Sequence, residues 1–288
     1  MKNILFPNLI IGGLPKSGTT FLFNLLSQHS DVFPSKVKEI SMYMSFVREN
    51  KKPNLHRYLD YFKHYNSQKY LLEASPHYFN NGKSIATHIK NDIRNLKLIF
   101  CFRNPVDHLF SLYKGSLRNM RITKNTTFEY YLKNRKFYPG LNKTQLLKYW
   151  VDIFNKENIK VVFFENLIEK NNEEFLSILD WLELKNEITE NLKIKNINKG
   201  GIPKNLWLQK VIKSTLGSQT KEYIPHKLEI FLRGMMSINM HEIKKNDIIT
   251  KDVISEINSI YCTSDTEFLT YLKNIGYSKL PKWLYGNY

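Results

Sequence analysis

The stretch "IIGGLPKSGTT", Ile10–Thr20, comes close to a nucleotide-binding loop. The pattern GxxxxGK[ST] fits from Gly13 to Gly18 and then breaks, because Thr19 stands where the lysine belongs. The lysine lies earlier, at Lys16. The run "NLIIGG" (Asn8–Gly13) predicts a strand before the loop, and Phe21, Leu22, Leu25 and Leu26 predict the apolar face of a helix after it. In that setting Gly13 and Gly18 permit tight turns. The backbone amides from Lys16 to Thr20 can then point at an anion, helped by the positive end of the helix. The hydroxyls of Ser17, Thr19 and Thr20 add donors. An ordinary strand–helix turn with glycines for steric reasons is the competing explanation. Strand, glycines, lysine, hydroxyls and helix together favour the anion.

Working outward, three further apolar runs predict strands: "YLLEAS" (Tyr70–Ser75), "LKLIFCFR" (Leu96–Arg103) and "IKVVFFENL" (Ile159–Leu167). Continuous apolar character is what a parallel sheet shows when helices cover both faces. Helical faces are predicted by Leu146, Leu147, Trp150, Val151 and Phe154, and again by Phe175, Ile178, Leu179 and Leu182. Leu206–Leu216 and Asp252–Leu272 also have helical character, after a polar Asn- and Lys-rich loop at Lys185–Lys199. The expected fold is α/β: a phosphate-loop-like three-layer architecture with a central parallel sheet between helices and a helical C-terminal part. With 288 residues, 42% of them hydrophobic, the chain can build one large core, and a single domain over residues 1–288 is expected.

The formal net charge of +17 attracts phosphate, sulfate, acidic glycans, nucleic acid or anionic membrane. A chain this rich in Lys, Asn and Ile has a compositional source for that charge, so charge alone selects no partner. Cys101 and Cys262 sit in no CxxC pattern, which removes a redox or metal motif and leaves two buried free thiols as the expectation. No apolar run is long enough for a transmembrane helix. The opening "MKNILFPNLIIGG" leads straight into the glycine loop and has no small-residue cleavage site, so it reads as the first strand and the protein as cytoplasmic.

In nucleoside-triphosphate enzymes the lysine after the second glycine reaches the β- and γ-phosphates, and the next hydroxyl holds magnesium. A lysine at the fourth loop position would stand instead beside a single 5′-phosphate and whatever leaves from it. This arrangement, "LPKSGTTFL" (Leu14–Leu22), resembles the loop of sulfotransferases that use 3′-phosphoadenosine-5′-phosphosulfate (PAPS). The segment "FRNPVDHLFSLYKGSLR" (Phe102–Arg118) is similar to the family's 3′-phosphate segment, with Arg103 at a strand end and Ser111 on the next helix. "KVKEISMYM" (Lys36–Met44), "LLEASPHYF" (Leu71–Phe79), "FYPGLNKTQLLKYW" (Phe137–Trp150) and "VVFFENL" (Val161–Leu167) resemble the heparan sulfate and carbohydrate type, and the C-terminal "YLKNIGYSKLPKWL" is similar to the usual family ending.

The resemblance implies transfer of a sulfuryl group from PAPS to a hydroxyl or amine, with PAP released and no metal required. The acceptor it suggests is a carbohydrate or another small hydroxylated molecule, not nucleic acid. It implies Lys16 as the cation facing the leaving group. Lys16, Ser17, Gly18, Thr19 and Thr20 would hold the 5′-phosphosulfate, and Arg103 and Ser111 the 3′-phosphate, with Lys199 and Gly200 closing over it. A guanidinium fork suits a terminal phosphate. Glu39 is the implied base, His77 a rival, and Glu73 a third candidate or a group that orients a neighbour. The family often carries a lysine where this chain has Ala74, so Lys36 or Lys38 is expected to take over its contact. Two readings stand beside this one: a phosphate-loop kinase, and a non-enzymatic basic binder of nucleic acid or acidic glycan.

Overall fold

The computed structural model describes residues 6–169, 172–186, 201–216 and 226–286. In chain order the elements are β1 (Leu9–Gly13), α1 (Thr19–Leu26), β2 (Val32–Pro34), α2 (Met44–Glu49), α3 (Tyr58–Tyr61), β3 (Tyr70–Ala74), α4 (Gly82–Asp92), β4 (Lys97–Phe102), α5 (Pro105–Arg118) and α6 (Phe128–Lys133). They continue as α7 (Lys143–Phe154), β5 (Ile159–Phe163), α8 (Phe164–Leu167), α9 (Glu173–Trp181), β6 (Gly201–Pro203), α10 (Leu206–Thr215), α11 (His226–Ile238), β7 (Met240–Glu242) and α12 (Lys251–Asn274). The chain divides into two compact units. One comprises Met1–Asn104, Pro139–Ile194 and Ile260–Tyr288, and the other Pro105–Tyr138 and Lys195–Ser259.

The first unit holds a five-stranded parallel sheet in the order β2-β3-β1-β4-β5. Its strands are mostly apolar because both faces are covered, with Glu73, Lys97 and Lys160 as charged exceptions. Ile10, Leu98, Phe100 and Val161 face one cluster with Phe79, Leu147, Trp150 and Phe268. Leu9, Ile11, Ile99 and Cys101 face the other, with Leu22, Leu26, Ile178 and Leu179. Each such side chain, once buried, contributes about 1.5–3 kcal/mol, so the sheet is held from both sides and its register with it. Ile11 pairs with Ala74 on one side and Ile99 on the other, which sets the C-terminal ends of β1, β3 and β4 along one edge. In open parallel sheets, ligands bind beyond that edge.

The four expected strands and the helices that cover them are present, and the parallel α/β architecture is the one expected. The strand expected over Ile159–Leu167 stops at Phe163, where the chain turns into the short helix α8. The short edge strand β2, three residues ending in Pro34, escaped prediction because so brief a run has no period to detect.

The second unit is mostly helical. Phe110, Tyr113, Phe128 and Tyr131 pack α5 on α6, with ring centroids 5.3–6.5 Å apart. Buried Gln209 of α10 donates to the Arg118 carbonyl at 3.0 Å. β6 pairs antiparallel with β7 in a two-stranded sheet absent from the sequence expectation.

Candidate active site

The loop between β1 and α1 is held from below by the Leu14 N–H, which donates to the Cys101 carbonyl on β4 at 2.8 Å. Lys16 and Gly18 both take positive φ, 69° and 87°, and the chain turns sharply enough for α1 to start at Thr19. Gly18 is required here twice over. Its φ is left-handed, and a Cβ would lie 2.1 Å from Cδ2 of Phe164. Ser17 is fully buried, and its Oγ has no hydrogen-bond partner among the described residues. A buried donor left in that state is costly unless a ligand completes it, so the loop's chemistry fits an anion. Thr19 is also buried, and Lys16, Gly18 and Thr20 are partly so.

Phe164 organises the next part. Its ring packs edge-on against Phe21 of α1 at 6.0 Å, and the Arg103 guanidinium lies 4.6 Å over its face. Arg103 Nη1 also donates to the Lys16 carbonyl at 3.3 Å. The arginine predicted as a phosphate ligand is thereby tied to the loop that carries the predicted leaving-group lysine. Glu165, next in the chain, accepts the Asn104 N–H at 2.9 Å and the Trp283 Nε1–H at 3.3 Å. Burial raises the Glu165 carboxyl above its ordinary value, against those two donors and Arg103. Ser111 lies on α5 in the second unit and is partly buried. Lys199 and Gly200 lie outside the described residues.

On the other side of β1, the segment after β2 carries Glu39. Its N–H donates to the Ala74 carbonyl at 2.8 Å, and its φ is 65°, a left-handed value that costs a non-glycine residue energy. The side chain is 52% exposed and pairs with Lys38 Nζ at 3.0 Å, while Lys38 is only 17% exposed. Surrounding protein opposes the Glu39 charge. Lys38 first, then His77 and Lys16, outweigh that effect and hold the carboxyl below its ordinary value. Two other residues singled out by sequence, Lys16 and His77, therefore act on the Glu39 carboxylate from separate segments. Ala74, the departure from the family pattern, is buried at the end of β3. Of the two lysines considered as its replacement, Lys38 is the one placed against Glu39.

Glu73 has no exposure at all. It accepts hydrogen bonds from the Tyr58 hydroxyl at 2.8 Å, the Ser75 hydroxyl at 2.5 Å and the Tyr78 hydroxyl at 3.1 Å. Burial raises its pKa against those three donors. A carboxyl so enclosed has no open side for an acceptor. Sequence reasoning gave no role to Phe164, although the close fit of glycine and aromatic ring lies within two quoted motifs. Among the described residues no group of three or more His, Cys, Asp or Glu is placed to hold a metal ion.

A family model described as a sulfotransferase domain matches residues 6–229. The chain belongs to the sulfotransferase domain family. That places it in an enzyme family and leaves the nucleotide-kinase reading without support. The chain is also 33% identical over 132 residues to the membrane-associated sulfotransferase kil1 of Dictyostelium discoideum, which covers 45% of this chain and 27% of that protein's length. The chain thus spans about a quarter of that relative. Among solved structures, a sulfotransferase from Alicyclobacillus acidocaldarius superposes with a TM-score of 0.62 over 96% of this chain and 98% of its own, at 17% identity, which shows the fold. No described helix of this sulfotransferase is long and apolar enough to cross a membrane.

Proposed function

We propose that this sulfotransferase moves a sulfuryl group from PAPS to a hydroxyl or amine of a carbohydrate acceptor and releases PAP. The observation that supports it most is that Lys16, on the anion loop, and His77 both favour the ionised Glu39 carboxylate from other segments. A cation that can neutralise a departing 5′-phosphate lies near a carboxylate kept ionised and half exposed. In the proposed reaction the S–O bond to the 5′-phosphate breaks and a new S–O or S–N bond forms. The proton of the acceptor passes to a Glu39 carboxylate oxygen. PAPS supplies the sulfuryl group. The chain binds it through the loop amides and the hydroxyls of Ser17, Thr19 and Thr20, and Lys16 offsets the charge that develops on the bridging oxygen.

The roles of Arg103 and Ser111 towards the 3′-phosphate are carried over from sequence resemblance. The contributions of Lys199 and Gly200 rest on sequence resemblance alone. We take the two compact units as parts of one sulfotransferase domain over residues 1–288. The carbohydrate acceptor is supported by the glycan-type motifs, and a cytoplasmic location by two free cysteines, although Cys262 is exposed where a buried thiol was expected.

The test is ligand-induced stabilisation followed by turnover. PAP at about 100 times its dissociation constant should stabilise the protein by roughly 2.7 kcal/mol, and adenosine monophosphate, lacking the 3′-phosphate, by much less. Equal effects of the two would remove the 3′-phosphate assignment. A screen of glycan acceptors with labelled PAPS then decides the reaction, and a screen without transfer to any of them refutes the carbohydrate reading.

A further inference from the structure

The buried carboxylate of Glu73 lies at the end of β3, and the residue proposed as base lies on another segment. What joins them is a ladder of three backbone amides at alternate residues. The Glu39 N–H donates to the Ala74 carbonyl at 2.8 Å, the Ser41 N–H to the Ser75 hydroxyl at 2.9 Å, and the Tyr43 N–H to the Tyr78 hydroxyl at 3.2 Å. Ser75 and Tyr78 each accept one of these amides and donate their own hydrogen to Oε1 of Glu73. The carboxylate therefore decides which way both hydroxyls point. Without an acceptor there, either hydroxyl can rotate, and its lone pair leaves the amide it holds. The segment has reason to need holding, because Glu39 and Ser41 both have left-handed φ, 65° and 54°. Strained residues persist only where the surroundings over-determine them.

We propose that Glu73 is a positioning residue: acting through Ser75 and Tyr78, it fixes the strained 39–43 segment so that the Glu39 carboxylate faces the anion loop. This assignment rests on the reading of Glu39 as the base. It also separates Glu73 from a role as base itself, and the separation is chemical. Both hydroxyls that carry the ladder bond to Oε1, and among the described residues only Tyr58 bonds to Oε2. A glutamine can keep its oxygen at the Oε1 position and turn its amide towards Tyr58, whose hydroxyl then accepts. Glu73→Gln thus preserves the ladder while removing the charge and the basicity. Glu73→Met keeps the length of the side chain and removes every acceptor.

The experiment compares these variants by turnover with PAPS, PAP affinity, and hydrogen exchange at the amides of Ser41 and Tyr43. Glu73→Met is expected to lose about 10–100-fold in kcat, the scale of a misplaced reacting group, with PAP affinity unchanged and faster exchange at both amides. Glu73→Gln is expected to stay near the parent in all three. In a Glu39→Gln background, Glu73→Met should cost no further turnover, since the group it positions is already gone. Equal damage from Gln and Met overturns the proposal, as does unchanged exchange in Glu73→Met or full additivity with Glu39→Gln. If Glu73→Met does not fold, Ser75→Ala and Tyr78→Phe replace it. Each removes one rung, and exchange must rise at Ser41 in the first and at Tyr43 in the second. Exchange needs no acceptor, so a chain that fails to transfer sulfuryl groups would sink the proposed reaction while leaving the positioning test decisive.

Discussion

Replacing Gly18 with alanine probes the loop, the ring beneath it and the arginine behind the ring in one change. An alanine at φ 87° carries the left-handed penalty, about 1–2 kcal/mol. Its Cβ would also lie 2.1 Å from Cδ2 and 2.9 Å from Cε2 of Phe164, closer than real contacts allow. The ring is not free to swing away, since Phe21 meets it edge-on at 6.0 Å and the Arg103 guanidinium covers it at 4.6 Å. Overpacking of this sort costs about 1–3 kcal/mol. The two terms give about 2–5 kcal/mol, a large share of the roughly 5–15 kcal/mol that holds a typical domain together. Urea unfolding should show the midpoint falling with the slope unchanged. PAP affinity should fall as well, because the shifted ring moves Arg103. The double variant Gly18→Ala/Phe164→Leu makes room for the methyl group and should recover the packing share, leaving the conformational penalty. Gly18→Ala with parental stability and parental PAP affinity would refute both the loop conformation and the coupling of Phe164 to Arg103.

Three further outcomes are expected. Glu39→Gln should leave PAP affinity nearly unchanged and lower turnover by about 10²–10⁴, the usual contribution of a positioned base; retained activity would move the base to His77. Lys38→Met should shift the acid limb of the pH–rate profile upward. Its ammonium opposes burial and helps hold Glu39 below the ordinary carboxylate value, so its loss favours the protonated, inactive base at higher pH, and an unmoved limb would show that Glu39 is not the titrating group. Arg103→Ala should weaken PAP binding by about 1.5–3 kcal/mol, the worth of a hydrogen bond to a charged group, with a smaller effect on the chemical step; unchanged PAP affinity would assign Arg103 to the packing of Phe164 alone.

The parallel sheet was legible because burial on both faces leaves long apolar runs, and "NLIIGG" and "LKLIFCFR" are such runs. The anion loop was legible because a backbone that must turn at Gly13 and Gly18 and then start a helix leaves few residue choices. Glu39 and His77 could be singled out only by resemblance, since a glutamate in "KVKEI" has no local signature of chemistry, whereas Lys16 stood out by its place in the glycine loop. What brings them together is pairing between β1 and β3, a relation between residues some sixty positions apart along the chain that no window contains. The end of "VVFFENL" was misread as strand. Apolar run length does not distinguish four more strand residues from a helical turn, and the turn is what places Phe164 under Gly18.

Glu73 and Glu165 show why such a site needs buried acids in a chain of net charge +17. Each sits just past or at the end of a strand that neighbours a functional loop, and burial raises the pKa of both. Each also accepts hydrogen bonds that fix a segment bearing a proposed functional group. Glu73 does so through Ser75 and Tyr78 for the segment of Glu39, and Glu165 directly through the Asn104 N–H for the residue after Arg103. A neutral apolar residue of equal size would fill either space at less desolvation cost, but it would offer the neighbouring donors nothing. The donors concerned are backbone amides and hydroxyls at strand ends, where the ladder of the sheet has stopped and the chain must still be held still. Stability alone does not call for a carboxylate in those two places. Holding a proposed base on one side of β1 and a proposed phosphate-binding arginine on the other does.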